Sequence, residues 1–328
     1  MDLRFFRRKK DSHTLYTEAL EALLQGDSDS AFEKLRKLIQ EDTENVRAYL
    51  KLGDIFRERR QVAQAIKIHR SLTFRQKLST AMKVDIYASL AIDYRESGRF
   101  DRAEESANRI LKFDRKNRWA LDFLIEICEQ QQRWETASKN LRRLEKASRK
   151  TDHRRRAYYN LMQGRERDED GLQKEARGFY QKAISEDDSY ADPHLYMGNL
   201  EEGDGNLDGA VTHWKAFAER SSGTGKQVYG RLEKALFELG RFGEIELFYR
   251  TLREQDGKNL DALAGLVNVL AAKGEYDNAI AMVDDILGRN GQSVRIRLAR
   301  LKLELRKRKE KELSGQVDEI VLILGGGR

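Results

Sequence analysis

Residues 49–72 read YLKLGDIFRERRQVAQAIKIHRSL. Apolar residues recur three and four apart on both sides of the polar segment 59–61, so the stretch reads as two short amphipathic helices joined by a turn. So short a connection forces the helices antiparallel. The small residues Gly53 and Ala65, twelve apart, mark where the two backbones can approach closely. Such a hairpin keeps apolar surface that it cannot bury alone, so the rest of the chain should supply copies of it.

The copies are present. Ala31, Ala65, Ala103, Ala137, Ala176, Ala210, Ile245 and Ala279 follow one another at 34, 38, 34, 39, 34, 35 and 34 residues. Twelve residues before each lie Ala19, Gly53, Ala91, Ile125, Gly164, Gly198, Glu233 and Val267. Gly26, Gly98, Gly171, Gly205, Gly240 and Gly274 recur where the first helix of a pair should end, since a chain reversing direction favours a residue free to take positive φ.

The period and the two-helix unit resemble the tetratricopeptide repeat. The resemblance implies an all-α, right-handed α-solenoid of about eight tetratricopeptide repeats plus a C-terminal partial, capping repeat. The expected organisation is a basic-aromatic tag over 1–11, repeats one to four over 12–152, repeats five to eight over 153–290, and a partial ninth repeat with a capping helix over 291–328. The first unit is expected to begin at His13, and residues 316–324 to form the capping helix. The long spacing after the second unit predicts a longer loop or second helix around residues 75–81.

Composition agrees with long solvated helices: 36% of the residues are charged and there is one proline, Pro193. A single cysteine, Cys128, excludes an internal disulfide framework and a thiolate zinc cluster within this chain. It falls at a core position of the fourth unit and reads as a small buried hydrophobe. The opening MDLRFFRRKK lacks the apolar core of a secretory signal, and no run is long enough to span a bilayer. A cytoplasmic location is therefore expected.

Chemistry is hard to find. The histidines His13, His69, His153, His194 and His213 are scattered without the i, i+4 pairing of a helix-borne zinc site. There is no nucleophile elbow, and the glycines of the segment SSGTG at 221–225 precede no lysine-serine pair of a phosphate-binding loop. His69 falls at a packing position between helices and reads as structural. The expectation is a protein that is not an enzyme and that uses no cofactor and no metal.

What remains is a wall of first helices. Positions there that packing does not need are Arg47, Lys51, Asp54 and Arg57 in the second unit, Arg95 in the third, and Trp119 and Phe123 in the fourth. Tyr158 and Arg165 follow in the fifth unit, and Tyr196 and Asn199 in the sixth. Aromatics and arginines placed together are the composition of protein-binding hot spots, so these residues form a candidate groove for a protein partner. The alternative is that Trp119, Phe123 and Tyr158 fill the space between neighbouring helices.

A second reading uses charge. Lys and Arg number 62 against 55 acidic residues, a net charge of +7. The cations gather as Arg7, Arg8, Lys9 and Lys10 beside Phe5 and Phe6, and again as Arg149, Lys150, Arg154, Arg155 and Arg156. Either cluster suits the phosphates of an anionic membrane or of nucleic acid. Nucleic acid is the weaker partner, because only Tyr158 and Tyr159 follow closely as stacking groups.

Leu52, Gly53, Phe56, Arg57, Ala65, Ile66, Ile68 and His69, followed by Asp93, Tyr94, Gly98, Asp101, Arg102, Ala103 and Glu104, resemble the first repeats of the lipopolysaccharide assembly protein B (LapB) family. The resemblance is sharpest over 47–111. It implies a tetratricopeptide adaptor at the cytoplasmic face of the bacterial inner membrane, with a membrane protease (FtsH) and a lipid A biosynthetic enzyme (the deacetylase LpxC) as partners. That family has an N-terminal membrane helix where this sequence has MDLRFFRRKK, and a rubredoxin-like zinc module of paired CxxC motifs where this sequence has Gly325, Gly326, Gly327 and Arg328.

Overall fold

The computed structural model describes residues 3–221, 223–289 and 294–307, and these contain seventeen α-helices, one 3-10 helix and no strand. The chain divides into two compact units, Met1–Asp152 and His153–Arg328. The first holds α1 (Leu3–Leu24), α2 (Ser28–Glu41), α3 (Val46–Glu58), α4 (Val62–Leu72), α5 (Thr80–Glu96), α6 (Phe100–Phe113), α7 (Arg118–Gln130) and α8 (Trp134–Ser148). The second holds α9 (His153–Glu169), α10 (Gln173–Glu186), α11 (Asp192–Gly203), α12 (Leu207–Arg220), the 3-10 turn Gly225–Val228, α13 (Tyr229–Glu238), α14 (Phe242–Gln255), α15 (Leu260–Ala272), α16 (Tyr276–Arg289) and α17 (Val294–Lys307). Paired in order, α1 to α16 are eight helical hairpins, and α17 is the first helix of a ninth.

The hairpin turns are where the sequence places them. Gly26, Gly98, Gly171, Gly205, Gly240 and Gly274 all have φ between 70° and 82°. The second and fourth hairpins make the same turn without glycine: Arg60 at φ 61° and Gln132 at φ 56° accept the left-handed conformation despite carrying a side chain. Helix starts are capped by Asn45, Ser79, Asn117, Asn206 and Asn259, each accepting a backbone N–H from three residues on.

Inside a hairpin, size complementarity sets the crossing. Gly53, Gly164 and Gly198 face His69, Tyr180 and Trp214, each sixteen residues later, so closely that a Cβ on the glycine would run into the ring. In the seventh hairpin Glu233 takes the glycine's place and accepts a hydrogen bond from the Tyr249 hydroxyl, while the Tyr249 ring closes over Gly265 on α15. Leu35, Leu38, Ile55, Ile86, Ile110 and Leu121 fill the first unit; Tyr159, Tyr180, Trp214, Phe217 and Tyr249 fill the second.

Two boundaries differ from expectation. The loop after α4 is long, residues 73–79, but α4 itself has only 11 residues; the net gain is an added turn at the start of α5, which has 17 residues against 13 in α3. α9 has 17 residues too, so both long spacings coincide with a lengthened first helix, and about four residues is one turn, which keeps the packing face in register. Residues 3–11 are not set apart from the first unit, since α1 runs unbroken from Leu3 to Leu24. The expected capping helix at 316–324 lies outside the described residues.

Candidate protein-binding cleft

A cleft of about 620 Å³ opens on the first helices of the first unit, lined by Tyr16, Arg47, Leu50, Lys51, Asp54, Arg57, Val84, Asp85, Ala88, Ser89, Ile92, Asn117 and Trp119. α3 and α5 supply most of it because helical spacing puts Arg47, Lys51 and Asp54, and likewise Asp85, Ser89 and Ile92, on one face of each helix. Trp119 stands at its end, 40% exposed, with its ring stacked 5.1 Å from that of Phe123. The Arg95 guanidinium lies 4.9 Å from the Phe123 ring centroid and pairs with Glu126 at 2.8 Å. The ring offered to solvent is thus held by a ring and a cation beneath it.

Not every expected wall residue is accessible. Phe123 is 4% exposed and supports Trp119 rather than lining the cleft. Arg57 is largely buried: it donates to Asp54 at 2.7 Å and to Asp93 at 2.8 Å. Asp93 on α5 is completely buried and also meets His69 Nδ1 at 2.6 Å, while His69 Nε2 lies 3.1 Å from the Leu50 carbonyl oxygen. Burial opposes the charge on Arg57, but its hydrogen bonds to Asp93 and Asp54 outweigh burial and hold its pKa above the usual arginine value. His69 is structural, as the sequence indicates. Together the three side chains join the second hairpin to the third and fix the floor of the cleft.

Above that floor the polar groups are more exposed. Lys51 pairs with Asp54 at 3.3 Å and keeps 41% of its side chain in solvent. Arg47 is exposed and makes no hydrogen bond or ion pair among the described residues. Arg47, Lys51, Asp85 and Trp119 therefore present two cations, a carboxylate and an indole around the apolar Val84, Ala88 and Ile92.

The remaining expected wall residues sit in the second unit. The Arg165 guanidinium lies 5.2 Å from the Tyr196 ring centroid, Tyr196 stacks on Tyr180 at 5.7 Å, and Tyr158 is half-buried beside Tyr159. Asn199 accepts from Trp214 Nε1 at 3.2 Å and from Arg231 at 2.8 Å, so it ties α11 to α12 and α13 rather than waiting for a ligand. The sequence gives no sign that His194 and His213 meet. Their Nδ1 atoms are 3.2 Å apart; burial lowers the pKa of both, that of His194 to about 4.

The basic run is partly consumed. Arg154 pairs with Asp187 at 3.2 Å and lies 3.6 Å from the Tyr190 ring centroid, and Arg156 pairs with Glu186 at 3.5 Å. Arg155 stands 5.9 Å from the Tyr159 ring centroid. Arg149 and Lys150 belong to the first unit, where Arg149 closes α8 in the left-handed conformation. Arg7, Arg8, Lys9 and Lys10 lie within α1. Cys128 is buried, and burial pushes its thiol pKa up. No described helix is long and apolar enough to cross a membrane, and no three metal-ligating side chains gather among the described residues.

Sequence models of the tetratricopeptide repeat match residues 16–72 and 236–305. The chain carries tetratricopeptide repeats. Lipopolysaccharide assembly protein B of Escherichia coli K12 is 25% identical over 260 residues, which is 79% of this chain and 66% of that protein. The protein of the same name from Haemophilus influenzae is 26% identical over 243 residues, 71% of this chain and 61% of the relative. The matches thus leave about a third of the relatives' own length uncovered. Among solved structures, a tetratricopeptide repeat protein from Parabacteroides merdae is 17% identical, with a TM-score of 0.41 over 80% of this chain and 99% of that one.

Proposed function

We propose that this protein is a non-enzymatic adaptor that holds a segment of a partner protein in the cleft of its first unit, and that it serves in lipopolysaccharide or envelope synthesis. The observation that carries the reading is the exposed Trp119 braced by Phe123 and Arg95 at the end of a cleft with Arg47 and Lys51. An accessible indole on rigid support next to solvent-exposed cations is what anchors a partner side chain with little ordering cost. The envelope role rests on the name of the relatives, lipopolysaccharide assembly protein B. A membrane protease and a lipid A biosynthetic enzyme are the partners this reading favours, at the cytoplasmic face of the inner membrane.

The test is binding of the purified deacetylase and of the protease's cytoplasmic portion to the full chain. Trp119→Ala combined with Arg47→Ala should weaken one of these complexes about tenfold or more, as loss of a hot spot does, while the circular dichroism melt moves by only a few degrees. Equal binding by wild type and variant would overturn the assignment of the cleft. The alternative reading, an anionic-surface module built on Arg7, Arg8, Lys9 and Lys10 together with Arg149, Lys150, Arg154, Arg155 and Arg156, is weakened in its second cluster by the acidic partners of Arg154 and Arg156.

A further inference from the structure

Consecutive helices of the first unit alternate in direction, so its connections fall on two opposite edges. One edge carries the tight turns inside hairpins. The other carries the segments between hairpins, residues 42–45, 73–79 and 114–117, together with the C-terminal end of α8. Contacts knit this second edge together. Arg75 donates to the Thr43 carbonyl at 2.7 Å and pairs with Glu44 at 2.5 Å. Lys83, at the start of α5, lies 5.5 Å from the centroid of Phe113 at the end of α6, and Phe113 stacks on Tyr87.

The two edges differ in how many cations they leave unpaired. On the tight-turn edge Arg59 is held by Asp29 and Arg133 by Glu104, each an acid of the preceding hairpin, and Arg60 and Arg99 are exposed without an ion pair among the described residues. On the opposite edge Lys77, Arg115, Lys116 and Arg118 are exposed and form no ion pair among the described residues. Lys146, Arg149 and Lys150 continue the row at the end of α8 in the same condition. Asp114, in the same turn as Arg115 and Lys116, accepts from the Lys116 backbone N–H and from Asn117. Among these cations Phe74 stands 76% exposed in the loop 73–79, and Phe113 is 40% exposed.

We propose that this edge of the first unit docks on an anionic lipid bilayer, with the row of cations against headgroup phosphates and Phe74 in the interfacial layer. Cations near a negatively charged membrane surface add their attractions, and aromatic rings favour the headgroup region. The arrangement favours a bilayer over nucleic acid because these loops offer few rings. Phe113 is already engaged by Lys83 and Tyr87, so within the loops between hairpins Phe74 is the ring left to stack on a base, whereas strand-binding surfaces use successive rings. The segment 114–117 reaches the cleft at Asn117, but none of the cations in the row lines it, so the variants that test the two assignments do not overlap.

The experiment is sedimentation of the full chain with vesicles of phosphatidylcholine alone or mixed with phosphatidylglycerol, at low and at raised salt. Wild type should pellet with the anionic vesicles at low salt and stay in solution with the neutral ones. The combined variant Lys77→Gln, Arg115→Gln, Lys116→Gln, Arg118→Gln should bind anionic vesicles about tenfold or more weakly while its helical melt is unchanged. Phe74→Ser should remove the part of the binding that survives raised salt. The proposal is overturned if wild type ignores anionic vesicles or if the Lys77 to Arg118 variant binds them undiminished. Loss of affinity in that variant for single-stranded RNA but not for vesicles would overturn it too.

Discussion

Arg57 reads from the sequence as a groove cation, yet the side chain is 14% exposed and spends its donors on two carboxylates. Asp54, three residues earlier on the same helix, is a partner that helical spacing makes legible. Asp93, thirty-six residues later in the next hairpin, is not, because nothing local in either segment announces the pairing. Removing Arg57 would leave a buried carboxylate short of its cation, so Arg57 is a stability residue and a poor probe of binding. For Phe123 the alternative that it fills space between helices is the one the structure bears out, since it is buried beneath Trp119. At this scale lies also the pH response. Burial first, and then His213 and Arg220, lower the pKa of His194 from 6.5 to about 4, opposed by Asp188; His213 is lowered by burial and Arg177 against the pull of Glu201. Below pH 6.5 the unfolded chain takes up a proton on His194 that the folded chain refuses until about pH 4, so stability present above 6.5 is lost as pH falls through that window. The loss is at most about 3 kcal/mol. Melting curves recorded across the window should fall less steeply with pH for His194→Phe than for wild type; parallel slopes would refute the assignment.

Hairpins were the most legible level, since the recurring small residues marked each crossing, whereas the large ring that closes over Gly53, Gly164 and Gly198 sixteen positions later was seen only in the structure. The exceptions are instructive. Glu233 breaks the glycine pattern by bonding the hydroxyl of the ring it faces, and the left-handed turns at Arg60 and Gln132 carry no glycine signal. The lengthened α5 and α9 were hidden because a spacing of 38 or 39 does not say which element grew. Two glycines test the packing argument. In Gly198→Ala the new Cβ meets Trp214, already fixed by its bond to Asn199, and should cost about 1–3 kcal/mol. In Gly178→Ala, inside α10 with open space around the position, stability should rise by about 0.5–1 kcal/mol. Urea unfolding of both variants decides it: equal effects would mean that the glycines are not there for the crossing.

At the scale of the molecule, the repeat period foretold eight hairpins and the first helix of a ninth, because stacking of like units is a property of the pattern as a whole. Division of labour between the units was less visible. Arg47, Lys51, Asp54 and Trp119 come together in one cleft of the first unit, whereas Arg165, Tyr196 and Asn199 in the second are engaged with Tyr180, Trp214 and Arg231. The basic run likewise divides, Arg154 and Arg156 in α9 facing Asp187 and Glu186 while Arg149 and Lys150 stay with the first unit. The most direct test of the adaptor account is site-specific photo-crosslinking with a benzophenone side chain placed in turn at Lys51, inside the cleft, and at Arg102, on the exposed face of α6. The account predicts a covalent adduct with the purified deacetylase or protease from Lys51 and none from Arg102. Adducts from Arg102 but not from Lys51 would contradict it.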